Sequence, residues 1–190
     1  MILRPGARYF HGRGQSLHVA GPDFQTRSTL VDVTSAEDDP RWLDPSEMRA
    51  WRAYVIGSEL LRKQLNRELQ DRHGVTLADY EVLVRLSEPD DRRMRMAALA
   101  SEVASSKSRL SHQITRLENA GLARRVDCGD DARGVFAELT DKGMALLNKT
   151  APTHVYGVRA HLIDLLTTEE QDSLATTFER VLKHLRGLPN

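Results

Sequence analysis

MAALASEVASSKSRLSHQITRLENAGLARRVDCGDDARGVFAELT, residues 96–140, decides how the rest of the chain is read. Its pattern predicts a short helix, a tight turn, a longer helix and then a β-hairpin. Leu99 and Val103 give the first helix an apolar edge. Ser105 or Ser106 stands where a side-chain oxygen can accept from backbone N–H groups that lack an intrahelical partner. In the second helix Leu110, Ile114 and Leu117 recur at i, i+4 and i+7, which makes one buried stripe. Ser108, Arg109, His112, Thr115 and Arg116 then point the other way. Gly121 stops the helix, because a residue without a Cβ enters the left-handed conformation cheaply.

After that stop, residues 122–126 and 135–139 are short β-prone runs that flank a loop of turn formers from Cys128 to Gly134. A helix-turn-helix followed by a hairpin is a winged helix. Its second helix suits the DNA major groove, about 12 Å wide. Arg133, near the tip of the wing, is placed to reach a neighbouring minor groove. The pattern is that of a DNA reader.

These residues resemble the MarR family of regulators (multiple-antibiotic-resistance type). Members typically read LA-x(5)-SKS before the recognition helix, then RLE-x(2)-GL and a downstream Arg. A wing of D-x-R-x(5)-LT-x(2)-G follows. This chain has Leu99-Ala100, Ser106-Lys107-Ser108, Arg116-Leu117-Glu118, Gly121-Leu122 and Arg125. It then has Asp131, Arg133, Leu139-Thr140 and Gly143, all in step. The resemblance covers residues 43–185, about three quarters of the chain. It implies a homodimeric winged-helix transcriptional regulator, often a repressor released by a small aromatic ligand. It also implies that Asp131 pairs with a nearby arginine and, with Arg125, supports the wing.

Composition sets looser bounds. The 190 residues are 40% hydrophobic and 28% charged, an ordinary balance for a chain with one core. Lys plus Arg and Asp plus Glu both number 27, so the net charge is zero, which argues against a protein that coats nucleic acid indiscriminately. A specific reader needs only local cations. Lys107, Arg109, Arg116, Arg124, Arg125 and Arg133 supply them. The single cysteine excludes an intramolecular disulfide framework. No apolar run approaches the roughly 20 residues of a membrane span, and no signal-peptide core is evident, so the expected compartment is cytoplasmic.

The flanks are read outward from the winged helix. Residues 1–41 are punctuated by Gly, Pro, Arg and Asp without a helical stripe, and are expected to be a flexible extension. Arg4, Arg8 and Arg13 leave open a basic arm on DNA. Asp44, Pro45 and Glu47 form a helix start with a capping box. Met48, Trp51, Val55, Leu61, Leu65 and Leu69 then keep a helical period to about Arg72. That run is far longer than the mean helix of about 11–12 residues. Thr76 caps a second helix over residues 77–87, with Tyr80, Leu83 and Val84 inward. A turn follows at residues 88–91, and Arg92, Arg93 and Arg95 lie in a loop within reach of phosphate.

Beyond the wing, Thr140 caps a long helix with an apolar stripe of Met144, Leu147, Ala151, Val155, Val158, Leu162 and Leu165, kinked at Pro152. Thr167 and Glu170 form a second capping box, opening a last helix through Leu174, Phe178, Val181, Leu182 and Leu185. The expected fold is mainly α with a small β-hairpin wing. Residues 76–140 form the DNA-binding domain, while 42–75 and 141–190 form a helical dimerisation domain. More amphipathic helices than one protomer can cover point to interdigitation across a two-fold axis.

The expected DNA-binding residues are Ser106, Lys107, Ser108, Arg109, His112, Arg116 and Arg133, with Lys107 on phosphate and Arg116 on phosphate or the wing. The expected DNA partner is a palindromic operator. A small phenolic or aromatic effector, as in the family, would be bordered by Trp51, Tyr54 and Tyr80, with His154 and His161 also on suitable helices. Cys128 as a thiol switch lacks a clear basic cluster, and Asp127 beside it would raise its pKa. The seven histidines are scattered without metal-ligand spacing, so no metal or other cofactor is expected. No phosphate loop, HExxH or nucleophile elbow is present, which speaks against an enzyme. A winged helix used only for protein contacts would expose apolar side chains where this one carries Ser, Arg and His.

Overall fold

Most of the helix starts are set by side-chain caps, the helix at Met96–Glu102 being the exception. In the computed structural model, which describes residues 41–127 and 134–188, Asp44 Oδ1 accepts from the Ser46 and Glu47 N–H groups at 2.7 and 2.8 Å. Glu47 accepts in return from the Asp44 N–H at 2.9 Å, completing the capping box. Helix α1 (Pro45–His73) follows and ends before Gly74. Thr76 Oγ1 accepts from Asp79 N at 3.0 Å and opens α2 (Leu77–Ser87). The contacts divide the chain after Ala53, and the buried core belongs to the part from Tyr54 on.

The next element departs from expectation. Arg93–Arg95 is not a loop but strand β1, antiparallel to a later strand. Its alternation has a physical sense: Met94 packs towards the core while Arg93 and Arg95 stay exposed. Helix α3 (Met96–Glu102) and helix α4 (Lys107–Asn119) then form the helix-turn-helix, followed by β2 (Ala123–Asp127) and β3 (Val135–Leu139). The wing is therefore part of a three-stranded antiparallel sheet, order β1-β3-β2, rather than a free hairpin. Phe136 on the central strand pairs in register with Arg95 on one side and Val126 on the other. The guanidinium carbons of Arg95 and Arg93 lie 5.1 and 5.8 Å from its ring centroid.

Two glycines are required by geometry. Gly121 closes α4 at φ +70°, a conformation that L side chains rarely adopt. A Cβ at Gly143 would stand 2.1 Å from the Leu122 carbonyl oxygen, so only Gly lets α5 (Asp141–His161) start so close to the sheet. Thr140 joins the two by accepting from Gly143 N at 3.0 Å and donating to the Gly121 and Leu122 carbonyls at 2.8 and 3.1 Å. Helix α5 runs through Pro152 without interruption. It ends at His161, so Leu165 falls in a following 3-10 turn (Ile163–Leu165) instead of extending the stripe. Helix α6 (Thr168–Arg186) opens with the Thr167–Glu170 capping box.

Leu69, Leu83, Leu86, Leu99, Leu110 and Ile114 are fully buried in one core from α1, α2, α3 and α4. Burying each such side chain stabilises by roughly 1.5–3 kcal/mol. On α2 it is Val82 and Leu86 that join Tyr80 and Leu83 inside, whereas Val84 is only half-buried. Helices α1 and α5 are pinned by a His73–Thr153 hydrogen bond of 2.8 Å and a His161–Glu68 contact of 2.7 Å. Among the described residues, the outer ends of the predicted stripes stay exposed. Trp51, Val55 and Val155 are exposed, and α6 buries no residue at all. Among the described residues, no helix is long and apolar enough to cross a membrane.

Candidate nucleic-acid interface

Helix α4 presents two chemically different faces. Leu110, Ile114 and Leu117 are at most 3% exposed, so the 3.6-residue period leaves Lys107, Ser108, Arg109, Ser111, His112 and Thr115 in solvent. Ser106 caps the helix, its Oγ accepting from Arg109 N at 3.2 Å. That bond fixes the first turn, where positive backbone dipole and exposed cations coincide. The result is a polar, cationic helix face that begins at a helix N-terminus.

Arg116 has an intramolecular partner that no local spacing in the sequence points to. Its Nη2 lies 2.9 Å from Asp79 Oδ1, and that carboxylate is largely shielded by the fold. Arg116 thus ties α4 to the first turn of α2, while its guanidinium stays largely exposed. Arg125 is paired with Glu118. Its Nη1 pairs with Glu118, its backbone N–H donates to Glu118 Oε1 at 2.7 Å, and its Nη2 donates to the Ser111 carbonyl at 2.8 Å. Further bonds run from Nη2 to Ser111 Oγ and Thr115 Oγ1. Arg125 therefore bolts the base of the wing to α4. Arg124 pairs across the sheet with Glu138 at 2.7 Å, which holds its guanidinium above the usual arginine range. Arg133 and Asp131, like Cys128, lie outside the described residues, as do residues 1–40.

A cleft of about 540 Å³ is lined by Arg62, Tyr80, Glu81, Val84, Val103 and His154 among others. Tyr80 and His154 stack with ring centroids 4.6 Å apart. Burial pushes the Tyr80 hydroxyl up and the His154 imidazole down, the latter opposed in part by the Glu81 carboxylate. His154 Nδ1 is buried with no hydrogen-bond partner among the described residues. Arg62 closes one edge through a two-point pair with Glu81 at 2.9 and 3.2 Å. Of the three residues expected to border an effector, only Tyr80 lines this cleft. Tyr54 instead packs against Phe178 of α6, centroids 5.2 Å apart, because α1 runs beside α6 at that level. Trp51 is exposed on α1 and does not line it. His161 is engaged with Glu68 elsewhere.

Comparison with known proteins agrees with this geometry. A family model described as transcriptional regulator SarA/Rot matches residues 64–150, which span the helix-turn-helix and the wing. PecS, an HTH-type transcriptional regulator from Dickeya dadantii, is 38% identical over 80 residues, 42% of this chain and about half (48%) of that protein. Sco3205 of Streptomyces coelicolor, a MarR family regulator solved in complex with DNA, is 44% identical with a TM-score of 0.75. That match covers 78% of this chain and 92% of Sco3205. AbsC, a MarR family transcriptional regulator from Streptomyces coelicolor, is 49% identical with a TM-score of 0.75, over 78% of this chain and 100% of its own. With that identity across the whole of AbsC, and a capped, cationic second helix beside a three-stranded wing, the chain belongs to the MarR family of winged helix-turn-helix transcriptional regulators.

Proposed function

We propose that the protein is a homodimeric, DNA-binding repressor that reads a palindromic operator and is released by a small phenolic or aromatic acid. The observation that carries the reading is the division of α4, with its apolar side packed by its own chain and Ser106, Lys107, Ser108, Arg109 and His112 left in solvent. Arg109 contacts a base edge, and a two-point bond to guanine would be worth about 1–3 kcal/mol. Lys107 takes phosphate, and Ser106, Ser108 and His112 take nearby edges or phosphates. Arg133 enters the minor groove, and Asp131 and Arg125 shape the wing that carries it. Arg116 positions α4 through Asp79. The DNA-bound state of Sco3205 supports the same assignment by likeness.

Residues 76–140 are the DNA-binding part, and 42–75 with 141–190 pair two copies, leaving 1–41 as an extension. Tyr54, Ile56 and Leu60 on α1 and Val181, Leu182 and Leu185 on α6 are exposed apolar side chains that a second copy would cover. A two-fold dimer then spaces its recognition helices about one DNA turn, roughly 34–36 Å, apart. The cleft beside Tyr80 and His154 is the effector seat. It is lined by both α2, which Arg116 ties to α4, and α5, so an occupant can bias one relative to the other.

Binding of the purified protein to duplex fragments of its own upstream intergenic DNA, across a salt series, tests this. Tight binding that depends on a palindrome and falls steeply with salt is expected, weakened by Arg109→Ala. Absence of binding at every salt concentration would point to a winged helix that contacts proteins.

A further inference from the structure

The cleft beside Tyr80 and His154 has walls of different chemistry. Val84 of α2, with Val103 and Ala104 in the turn between α3 and α4, supplies apolar surface. The Tyr80 and His154 rings, centroids 4.6 Å apart, supply an aromatic wall. Its volume, about 540 Å³, lies within the roughly 300–1,000 Å³ of small-molecule sites. Among its described lining residues the formal charges cancel, Arg62 and Arg85 against Glu81 and Glu102. Arg62 binds Glu81 at two points, 2.9 and 3.2 Å, and Arg85 binds Glu88 at 2.7 Å. A carboxylate entering the cleft would compete with Glu81 and Glu88 for these guanidinium groups. It would also leave the seat with net negative charge, partly out of water.

The hydrogen-bonding capacity left over is neutral. Burial holds the His154 imidazole below the usual histidine range, against the nearby Glu81 carboxylate, and raises the Tyr80 hydroxyl. A neutral imidazole has one N–H and one bare nitrogen. His154 Nδ1 is buried and bonds to no described residue. A dry N–H without an acceptor is tolerated less than a bare lone pair, which assigns the proton to Nε2. Nε2 is not a buried orphan and has no described partner, so it is the ring nitrogen open to the cleft. Resting on the reading of this cleft as the effector seat, we infer that it selects an uncharged ring bearing an acceptor oxygen, such as a phenol or an aryl carbonyl, over the corresponding carboxylate. The oxygen accepts from His154 Nε2–H, with the Tyr80 hydroxyl as the second polar contact, and the ring packs against Val84 and the Val103–Ala104 turn. This narrows the effector, among phenolic and aromatic compounds, to those without an ionised carboxyl group. The turn leads in two residues to Ser106, the cap of α4, so the occupant rests at the entry to the recognition helix.

Salicylamide and salicylate probe the selection, since they share a ring, a phenol and a size and differ in charge near pH 7. Each is titrated calorimetrically onto the full-length protein and onto His154→Phe, His154→Gln and Tyr80→Phe, after thermal melts establish that each variant is folded. Wild type is expected to bind salicylamide about tenfold or more tightly than salicylate. His154→Phe keeps a ring against Tyr80 and removes the N–H, and should weaken salicylamide about three- to tenfold. His154→Gln retains an N–H donor and should recover part of that loss. Tyr80→Phe should weaken salicylamide by about threefold. Salicylate bound as tightly as salicylamide, or more tightly, would overturn the inference. So would His154→Phe and Tyr80→Phe with wild-type affinity, because the selection would then lie elsewhere. Salicylamide bound as expected but without effect on duplex binding supports the selection and overturns the effector reading beneath it. Neither probe binding at millimolar concentration overturns both.

Discussion

Helix α4 turns Leu110, Ile114 and Leu117 into a core built by its own chain, whereas the 19 residues of α6 bury none of their side chains. Both helices are opened by a side-chain cap, Ser106 in one and the Thr167–Glu170 box in the other. Both carry an apolar stripe at helical spacing. Yet Val181, Leu182 and Leu185 of α6 remain 41%, 50% and 56% exposed. Periodicity reports that a helix has a face to bury and is silent about what buries it. Along α4 the answer is local, through α2, α3 and the sheet. Along α6 a stripe of this length, left in water, has no stabilising purpose within one protomer, and the proposed second copy is what gives it one.

The largest effect should come from charging the α6 stripe. Leu182→Asp combined with Leu185→Asp places two carboxylates per protomer against an apolar partner surface, a penalty of about 4 kcal/mol or more for association. Sedimentation velocity should report a dimer for the wild type and a monomer for the variant at the same concentration. A wild type that sediments as a monomer would remove the contrast between the two helices. Next comes Leu110→Ala, which empties a fully buried site on α4 and should lower unfolding stability by about 2–5 kcal/mol in urea titrations. Because that core is made within one chain, the loss should be of similar size in the charged α6 background. Strong non-additivity would mean that the two faces are energetically coupled.

What the sequence disclosed follows the same division. Caps at Asp44, Thr76, Thr140 and Thr167 are legible because the capping oxygen and the backbone N–H that donates to it lie within three residues of each other. The inner stripe of α4 was legible because seven residues of period suffice to define it. Strand β1 was missed: three residues, Arg-Met-Arg, are too few to distinguish alternation from a charged loop. The Arg116–Asp79 pair joins residues 37 apart, so nothing local points to it, and the sequence by itself suggests phosphate or the wing as the partner of Arg116. Arg125 and Glu118 are only seven apart, but a helix end and a turn intervene, so no helical or strand spacing links them. The cleft is similar. Trp51, Tyr54 and Tyr80 all lie on helices able to border a cavity, and position on a helix says little about which neighbour a side chain meets: Tyr80 lines the cleft, while Tyr54 meets Phe178.

The smallest effect concerns a site on the self-covered side, where α5 meets α2. His154 lies against Tyr80, and burial holds its imidazole below the usual histidine range, with Glu81 opposing part of that shift. An unfolded chain takes up a proton at this histidine near pH 6.5, while the native state does so only at lower pH. The unfolded state therefore binds more protons in that interval. Stability is complete above about pH 6.5 and declines as pH falls below it. Glu68 acts in a separate window. Bonds from Gln64 and His161 hold its carboxyl below the ordinary glutamate range, so its contribution persists above that range and is lost only as pH falls further. Urea midpoints measured from pH 7.5 downward should fall first in the histidine window, and His154→Gln should flatten that first decline without removing the second. The contact lies within one chain, so the flattening should be the same at low and high protein concentration. If it appears only at concentrations where the wild type is dimeric, then α5 reports on the partner copy, and the line between self-covered and partner-covered surfaces must be moved from α6 to include α5.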